Sequence, residues 1–445
     1  MPLAILNDDP IMKMNTETVA APEPEKLPRN LGLAGIWLLA VNGMIGAGIF
    51  GLPGGAVRYA GEWSPFIYVV CALLILPILL CFAELASYYR GTGGPIRYAT
   101  DAFGSFIGFQ AGWLFYIARV VSFSANSVLL VDSVGYFWPE ATGGSMRLLP
   151  LALICLGLTF INVVGNVRAI RSLAILTIAK LFVLIGLVFA GIRLFVMPLT
   201  GDAPLPAGEL DFGAATLLLI YAYVGFESAV VPAGEARDPA RDMPRALLLG
   251  LGVVALLYLA IQLVATAAVP DLATSTTPLL DAAAVLLGPV GAVILMLGVL
   301  ASVGGNLVGA IFSSPRISYA LALDGRLPTW FAAVHPRFLT PANSIVVFGV
   351  VSFLLAALGT FIFLAATTIL SRLLMYILVC AAVPRLRARL SPQGGFVLPG
   401  GQLVPILGIA ASTSLLIEVS RASLLLTAVF VLVGSGLYGL TRRQT

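Results

Sequence analysis

Apolar stretches of about 20 residues recur from Leu31 almost to the C-terminus of the 445-residue chain, and each is long enough to cross the hydrocarbon core of a bilayer. Hydrophobic residues make up 59% of the chain and charged residues only 10%, whereas about a quarter of a soluble chain is charged. Backbone polar groups must be satisfied within lipid, so segments of this kind span as helices. The sequence therefore predicts an all-α integral membrane protein.

Twelve membrane spans are predicted from the apolar stretches and the polar connections between them. They cover residues 31–59, 64–89, 106–134, 148–165, 170–197, 212–236, 244–269, 286–323, 342–359, 361–384, 402–418 and 422–440. An even number of spans puts both termini on one side and divides the connections into an inner and an outer set. Counted with the span ends that adjoin them, the outer connections carry only Arg58, Arg147, Arg193 and Arg421, whereas three basic residues lie deep within spans and the other lysines and arginines belong to the inner connections. This bias predicts cytoplasmic termini, and it explains the net charge of +4 without a nucleic-acid partner.

The N-terminal segment, residues 1–30, is acidic, contains prolines and has no apolar block. It lacks the features of a signal peptide, and we expect it to be a disordered cytoplasmic tail. The four cysteines lie in apolar runs without metal-ligand spacing, and His335, the only histidine, falls in a polar connection. We therefore expect buried core cysteines, no metal site and no cofactor.

The first span contains an interruption, in the sequence NGMIGAGIFGLPG of residues 42–54. Gly46, Ala47 and Gly48 lie near its centre, where glycine disfavours a helix, and Pro53 removes a backbone donor one turn later. Unwound backbone inside a bilayer is tolerated where it is buried in protein or lines an aqueous cavity. On this segment alone, a face of small residues for close helix packing is an alternative.

The sixth span, which contains YAYVGFESAVVPAGEA at residues 221–236, is interrupted in a similar way. Gly225 breaks the apolar run, the acidic Glu227 follows it, and Pro232 comes a turn later. The two spans stand five apart, so they run in opposite directions, as an inverted repeat requires. Paired interruptions of this kind indicate a substrate site near the middle of the bilayer, and they make packing alone the weaker interpretation.

The ends of the interrupted helices predict what the site binds. Amide groups around Ala47 and Gly48 start the outer half of the first span, where the helix dipole is positive and favours a carboxylate. The carbonyl groups of Met44 and Ile45, and those near Val224, would accept an ammonium group. A site with both ends suits an α-amino acid.

Four segments together resemble the amino acid–polyamine–organocation (APC) transporters, and they occur in that family's order. They are NGMIGAGIFGLPG at residues 42–54, ELASYYRGTGGPIRYATDAFG at 84–104, GFESAVVPAGEARDPARDMPRAL at 225–247 and SSPRISYALALDGRLP at 313–328. The resemblance is closest to bacterial permeases and exchangers of basic and neutral amino acids and to the light subunits of heteromeric amino acid transporters. It implies a LeuT-like five-plus-five inverted repeat that works by alternating access. Residues 31–198 would form the first repeat, 199–385 the inverted second repeat, and 386–445 two further helices. It also implies a multi-pass protein of the bacterial inner membrane, either a monomer or a homodimer.

The resemblance assigns roles to the two breaks. In that family the glycine-rich break of the first helix, here residues 46–48, binds the substrate carboxylate, although many relatives have a serine where this chain has Ala47. The substrate amino group would meet carbonyls of Met44, Ile45 and Val224. These carbonyls flank the first break and the break that Gly225 makes in the sixth helix.

Two aromatic residues next to the sixth-helix break also match the family. Tyr221 occupies the position of an aromatic lid one turn before the break, and Phe226 would line the pocket. An ordinary packed aromatic is the alternative for Tyr221.

Lys180 lies in the middle of the fifth span, in the sequence LAILTIAKLFVLIG. A charge at the centre of a transmembrane helix costs roughly 2.5–3.5 kcal/mol on insertion scales, so it points to a function. In many sodium-independent relatives a fifth-helix lysine takes the place of a sodium ion between the first and eighth helices, and Lys180 matches that position. It either exchanges a proton during the cycle or remains a charged strut, and both roles predict transport without sodium.

Arg119 lies midway along the third span, in FYIARVVSFSAN, on a stretch that faces the substrate in the resembling family. Its guanidinium would pair bidentately with an acidic substrate side chain and would repel a cationic one. The alternative is an internal ion pair with Glu227 or Asp132.

Two glutamates near the cytoplasmic ends of spans, Glu84 in the second and Glu235 in the sixth, are predicted to be gate or packing partners of inner arginines such as Arg90 or Arg316. The alternative is that both are solvated helix ends. Glu227, next to the sixth-helix break, is expected to orient the unwound backbone or relay a proton.

Further polar residues are expected near the centre of the spans. Asn306 in the eighth span follows Gly304 and Gly305 and would reach the central cavity, as would Asn126 in the third span. Arg372 in the tenth span has no obvious partner.

The leading interpretation is a secondary transporter of a neutral or acidic L-amino acid, coupled to protons or working as an exchanger. A cationic amino acid or polyamine antiporter is the alternative, and a channel is a different class that the paired breaks argue against. None of the three lysines follows a glycine, which excludes the phosphate-binding GxxxxGK loop of an ATP-driven pump. We expect no enzyme, because no histidine lies in a span and no nucleophile–base pair is evident.

Overall fold

The computed structural model describes residues 31–89, 94–164, 173–196, 210–233, 236–390, 395–398 and 400–442. The predicted N-terminal tail and Glu235 lie outside these ranges. The described residues are helical almost throughout, and Leu31 and Ala236 form an isolated parallel β-bridge. The described chain is all-α, as its apolar stretches predict.

The α-helices are numbered along the chain. They are α1 (Leu33–Met44), α2 (Ala47–Gly51), α3 (Pro53–Ala60), α4 (Ser64–Tyr88), α5 (Gly94–Phe103), α6 (Ser105–Gly135), α7 (Leu148–Val164), α8 (Leu173–Val196), α9 (Phe212–Ile220), α10 (Glu227–Val230), α11 (Pro239–Ala268), α12 (Pro278–Val299), α13 (Gly305–Ser313), α14 (Pro315–Leu323), α15 (Ala342–Leu358), α16 (Phe361–Leu390), α17 (Leu403–Leu416) and α18 (Arg421–Arg442).

Ten helical stretches within the described ranges are long and apolar enough to cross a membrane. Two shorter apolar helices, α15 and α17, coincide with the ninth and eleventh predicted spans. Large apolar side chains on α7 and α8, such as Phe160 and Phe182, are 70% and 79% exposed, which is expected of a surface that faces lipid. Helix α5 lies in the connection between the second and third predicted spans, where the hydropathy pattern predicts no helix.

The first interruption separates α1 from α2 at Ile45 and Gly46. Ile45 has φ −79° and ψ 88°, and Gly46 has φ −120° and ψ −142°, so neither residue continues the helix. Beyond the break α2 runs into α3 almost without disturbance, because Leu52 keeps helical dihedrals and its amide donates to the Gly48 carbonyl at 2.9 Å. Pro53 is the first residue of α3, where its missing N–H costs no hydrogen bond.

The second interruption separates α9 from α10. A 3₁₀ turn over Tyr221–Tyr223 follows α9, Val224 is extended, and Gly225 has φ +114°. A positive φ is strained for any residue with a side chain, so the glycine permits the sharp change of direction here.

The two interrupted helices cross in direct contact. A Cβ atom on Gly43 would overlap the carbonyl oxygen of Gly225, and one on Gly225 would overlap the carbonyl oxygen of Gly43. Further along, a Cβ atom on Gly48 would lie 2.8 Å from the Cα atom of Ala222. Because the contacts ascend along the first helix as they descend along the sixth, the two segments run antiparallel.

The eighth span is longer and less regular than the sequence predicts. It begins at Pro278, bends at Gly288, where φ is +69°, and contains a π-helical turn over Leu300–Gly304. The π turn leads into α13 and brings Ser302 and Asn306 toward the first break. Such turns are frequent at functional sites.

Candidate functional site

A cavity of about 550 Å³ lies between the two interrupted helices, α6 and α13. Its wall includes Met44, Gly46, Ala47 and Gly48 from the first break. Across from them it includes Arg119, Tyr221, Val224, Gly225 and Asn306. The structure therefore brings most of the predicted binding residues to one space.

On one side of this cavity lies the N-terminus of helix α2, with backbone amides that have no partner within the helix. Ala47 and Gly48 are the first residues of α2, so their amides have no intrahelical acceptor, and the helix dipole is positive at this end. The Gly46 amide instead donates to the Met44 carbonyl at 3.0 Å. Asn306 lies against the break, because a Cβ atom on Gly46 would be 2.8 Å from its Nδ2 atom.

The carbonyl groups that end α1 are already occupied, which differs from the prediction. The Ile45 carbonyl accepts from Lys180 Nζ at 2.5 Å and from Ser302 Oγ at 3.3 Å, and Ile45 lies outside the cavity wall. The Met44 carbonyl accepts from the hydroxyl of Tyr258 at 2.9 Å as well as from the Gly46 amide. Both carbonyls therefore already have donors in this structure, and their contact with a substrate stays a prediction.

Lys180 ties α8 to the first break. Its ammonium group donates to the Asn42 carbonyl at 3.1 Å and to the Asn42 side-chain oxygen at 2.8 Å, in addition to the Ile45 carbonyl. The residue is 1% exposed. The buried ammonium group thus binds three acceptors. It replaces the amide donors that these backbone carbonyls would have in an intact helix.

At the second break Glu227 accepts hydrogen bonds, whereas Lys180 donates them at the first break. One carboxylate oxygen accepts from the Gly225 amide at 2.6 Å, while the other accepts from Arg372 at 2.8 Å and from the Tyr376 hydroxyl. Glu227 and Arg372 are 1% and 2% exposed. Glu227 therefore orients the unwound backbone. It is also the partner of Arg372, which the sequence pattern alone does not reveal.

The two aromatic predictions have different outcomes. Tyr221 lies on the cavity wall, and its ring meets that of Phe361 edge-on at 5.9 Å. Phe226 is fully buried away from the cavity, with its ring centroid 5.3 Å from that of Phe82 and 5.8 Å from that of Tyr376. The positive φ of Gly225 turns the following residue into the core, so Phe226 is a packing residue in this structure.

Arg119 lies on the cavity wall and is partly buried. Its Nε donates to Ser314 at 3.1 Å, and a terminal nitrogen donates to Ser313 at 3.5 Å. Neither carboxylate named as an internal partner pairs with it, because Glu227 binds Arg372 and Asp132 lies 3.8 Å from Arg147. The alternative of an internal ion pair is therefore not seen among the described residues, and the contact of Arg119 with a substrate stays a prediction.

Glu84 belongs to a separate cluster at the C-terminal end of α4. It is fully buried and binds Arg387 of α16 at 2.5 and 2.6 Å, and it accepts from the Leu398 amide at 3.0 Å. The proposed partner Arg316 instead lies over the Phe312 ring at 3.8 Å, and Arg90 is outside the described residues. Glu84 thus ties two helix ends together, away from the cavity.

The cavity is closed at one end and open at the other. Near its closed end, Tyr221 and Phe361 are 5% and 6% exposed. At the open end, toward the N-terminus of α1 and the C-terminus of α13, Gly309 is half-buried and Ser313 is exposed. Among the described residues, the exposed part of the cavity wall therefore lies at the end nearer Ser313.

One residue that joins the two breaks was missed by the sequence analysis. The Tyr258 hydroxyl lies 2.9 Å from the Met44 carbonyl and 3.1 Å from the Ala222 carbonyl. Tyr258, Gln262 and Thr266 recur every four residues on α11, and Gln262 donates to the Pro53 carbonyl at 3.2 Å. This polar stripe in an apolar helix is the signal that could have found Tyr258.

Comparison with known proteins gives consistent matches. A family described as "Amino acid permease" matches residues 31–434. The chain is 27% identical to the branched-chain amino acid permease BcaP of Bacillus subtilis, over 96% of each chain. It is 25% identical to the serine/threonine exchanger SteT of the same organism, over 95% of this chain and 99% of the relative, and 25% identical to the Bacillus subtilis methylthioribose transporter, over 97% of each.

Proposed function

Because the chain belongs to the amino acid permease family, we propose that it is a secondary active amino acid transporter that works by alternating access. The proposed cycle needs no sodium and couples the uptake or exchange of a neutral or acidic L-amino acid to protons. The observation that carries this proposal is the cavity enclosed by two antiparallel, interrupted helices. Backbone dipoles at such breaks bind polar solutes without requiring many charged side chains in the membrane.

The substrate α-carboxylate would accept hydrogen bonds from the amides of Ala47 and Gly48. Its α-ammonium group would donate to the Val224 carbonyl, which the second break releases from helical pairing, and to Asn126. The Asn126 side-chain oxygen is buried without a hydrogen-bond partner in the described structure, and this residue lines the cavity. The Val224 carbonyl belongs to the set predicted from the sequence, and the Asn126 side chain is proposed in place of the Met44 and Ile45 carbonyls, which already have donors.

In alternating access this site would open to the two membrane faces in turn. Tyr221 and Phe361 would form the lid over the closed end, and the open end would face the cytoplasm. The proposal includes the five-plus-five inverted repeat, cytoplasmic termini and a location in the bacterial inner membrane. The basic residues of the inner connections support this orientation.

Purified protein in sodium-free liposomes tests the proposal with labelled L-glutamate, L-serine, L-leucine and L-arginine. We expect saturable uptake or counterflow of at least one neutral or acidic amino acid, faster with an acidic exterior. Arginine should compete poorly. If no amino acid is transported, the proposed function is wrong. If arginine competes as well as glutamate or serine, the alternative of a cationic antiporter is favoured.

The same assay tests whether Lys180 carries the coupling proton. Lys180→Ala should abolish the response to the pH gradient, because Lys180 is the ionisable group bound to the first break. Thr177→Val is the matched control, since Thr177 also donates to the Asn42 side chain, at 3.0 Å, but carries no titratable group. Full pH dependence in Lys180→Ala would leave Lys180 as a structural strut.

A further inference from the structure

Helix α6 presents one largely polar stripe to the cavity. Arg119, Ser122, Phe123 and Asn126 all line it, and their spacing of three, four and seven residues puts them on one helix face. Arg119 is at one end of the stripe, toward the open end of the cavity, and Asn126 is at the other.

The register of α6 against the first break locates the two ends of this stripe. A Cβ atom on Gly51 would lie 2.7 Å from a methyl carbon of Leu129, so Asn126, one turn before Leu129, lies level with the start of α2. Arg119 lies about 10 Å further along the helix axis. An arginine side chain and a short substrate side chain together can span that separation.

The charges around the cavity are unbalanced. Of the two arginines on its wall, Arg372 is neutralised by Glu227 at 2.8 Å. Arg119 donates only to two serine hydroxyls among the described residues, and no aspartate or glutamate from those residues lines the cavity. Lys180 places a further positive charge behind the first break.

A guanidinium group at this depth requires an anionic partner or water, because charged groups in the membrane interior are rarely left unpaired. Arginine has five donors in a planar fork that matches a carboxylate. The two serines use two of these donors, so the remaining ones are available to a ligand in the cavity.

We infer that Arg119 is a specificity-determining residue that binds an anionic substrate side chain, so that the substrate is a short dicarboxylic amino acid. This inference rests on the proposed function. The α-carboxylate and α-ammonium groups occupy the two breaks, and the side-chain carboxylate extends along α6 to the Arg119 guanidinium. The neutral isostere glutamine fills the same space but leaves the guanidinium without a counter-charge.

Counterflow in liposomes, with labelled L-glutamate and L-glutamine, tests the inference on the full chain. The wild type should prefer glutamate in kcat/KM by about tenfold or more, because a site built for a polar group rejects an analogue that lacks it. Arg119→Gln should lose that preference and keep glutamine transport within a few-fold. Arg119→Lys should retain part of the preference, since it keeps the charge but loses the bidentate fork.

Arg147→Gln is the matched control, because it removes an arginine near the far end of α6 that lies outside the cavity wall. It should keep the wild-type preference. Equal losses of glutamate and glutamine transport in Arg119→Gln, in protein that remains monodisperse, would overturn the inference and make Arg119 structural or a partner of the α-carboxylate. Should Arg119→Gln fail to fold, the wild-type preference and Arg119→Lys still decide.

Transport of serine or leucine by the wild type, with no competition from glutamate or aspartate, would also overturn the inference. That result would leave the proposed function intact. The absence of any amino acid transport would instead contradict the proposed function itself.

Discussion

Two buried charges hold the two helix breaks, and each has the sign that its break requires. At the first break carbonyl groups are released, and the ammonium group of Lys180 binds them. At the second break an amide is released, and the carboxylate of Glu227 accepts from it. Each charge therefore replaces the backbone partners that unwinding removes, which lets irregular backbone persist in a largely apolar interior.

Glu227→Gln tests this role at the second break. Glutamine keeps an oxygen for the Gly225 amide but leaves Arg372 buried without a counter-charge. Removing one partner of a buried ion pair costs about 3–5 kcal/mol, so we expect a clear fall in the melting temperature of the detergent-purified protein. Adding Arg372→Met should recover part of the loss, because the unpaired charge is then removed as well.

Asp132→Asn provides the control for this measurement. Asp132 and Arg147 are 3.8 Å apart with side chains 27% and 26% exposed, and such pairs contribute about 1 kcal/mol or less. A loss in Glu227→Gln no larger than that in Asp132→Asn would contradict the structural role of the pair.

The sequence reveals which charges are important but not what they bind. Lys180 and Glu227 stand out because charges are rare in membrane spans. Arg372 is equally visible, yet its partner lies 145 residues away, and a pairing across that distance depends on tertiary packing. The same limit applies to Glu84, whose partner Arg387 is 303 residues away.

At the scale of helices, the crossing of the interrupted segments depends on glycine on both sides. Gly43 and Gly225 each lie against the other's carbonyl group, and Gly225 also needs its positive φ. The crossing sets the distance between the two helices at this point, so a side chain on either glycine would push the two breaks apart.

Gly43→Ala and Gly225→Ala should each reduce transport by about tenfold or more, because even a methyl group cannot fit without separating the helices. Counterflow of the transported amino acid and the melting temperature are the two measurements. Gly252→Ala is the control, since Gly252 is exposed on α11 with nothing near its Cβ position. It should be neutral or slightly stabilising, and equal damage from all three changes would refute the crossing.

The helix breaks are the part of the fold that the sequence predicts best, because glycine and proline act locally. The π turn over Leu300–Gly304 was missed because a π turn has no local composition signal. The bend at Gly288 was also missed, although Gly288 and Pro289 mark it locally. Phe226 was misplaced for a related reason. Its position depends on the dihedral angles of Gly225, which pattern alone does not specify.

For the whole molecule, the direction in which the cavity opens connects the fold with the transport cycle. The open end lies toward the N-terminus of α1. The excess of basic residues in the inner connections predicts that this end faces the cytoplasm. We therefore propose that this structure is an inward-open state. The helix packing gives the end at which the cavity opens, and the charge bias gives the side of the membrane on which that end lies.

Thiol labelling tests this state. The four native cysteines are fully buried, so they give little background. Gly309 lines the cavity and has nothing within 4 Å of its Cβ position, so Gly309→Cys adds a thiol without displacing a neighbour. A membrane-impermeant maleimide should label it in inside-out vesicles and not in right-side-out vesicles, and transported amino acid should slow the labelling.

Ser145→Cys, in an exposed turn after α6, should show the opposite sidedness. Labelling of Gly309→Cys from the same side as Ser145→Cys would contradict the proposed inward-open state, because the cavity would then open at the end where Ser145 lies. Exchanged sidedness of both positions would instead reverse the proposed orientation.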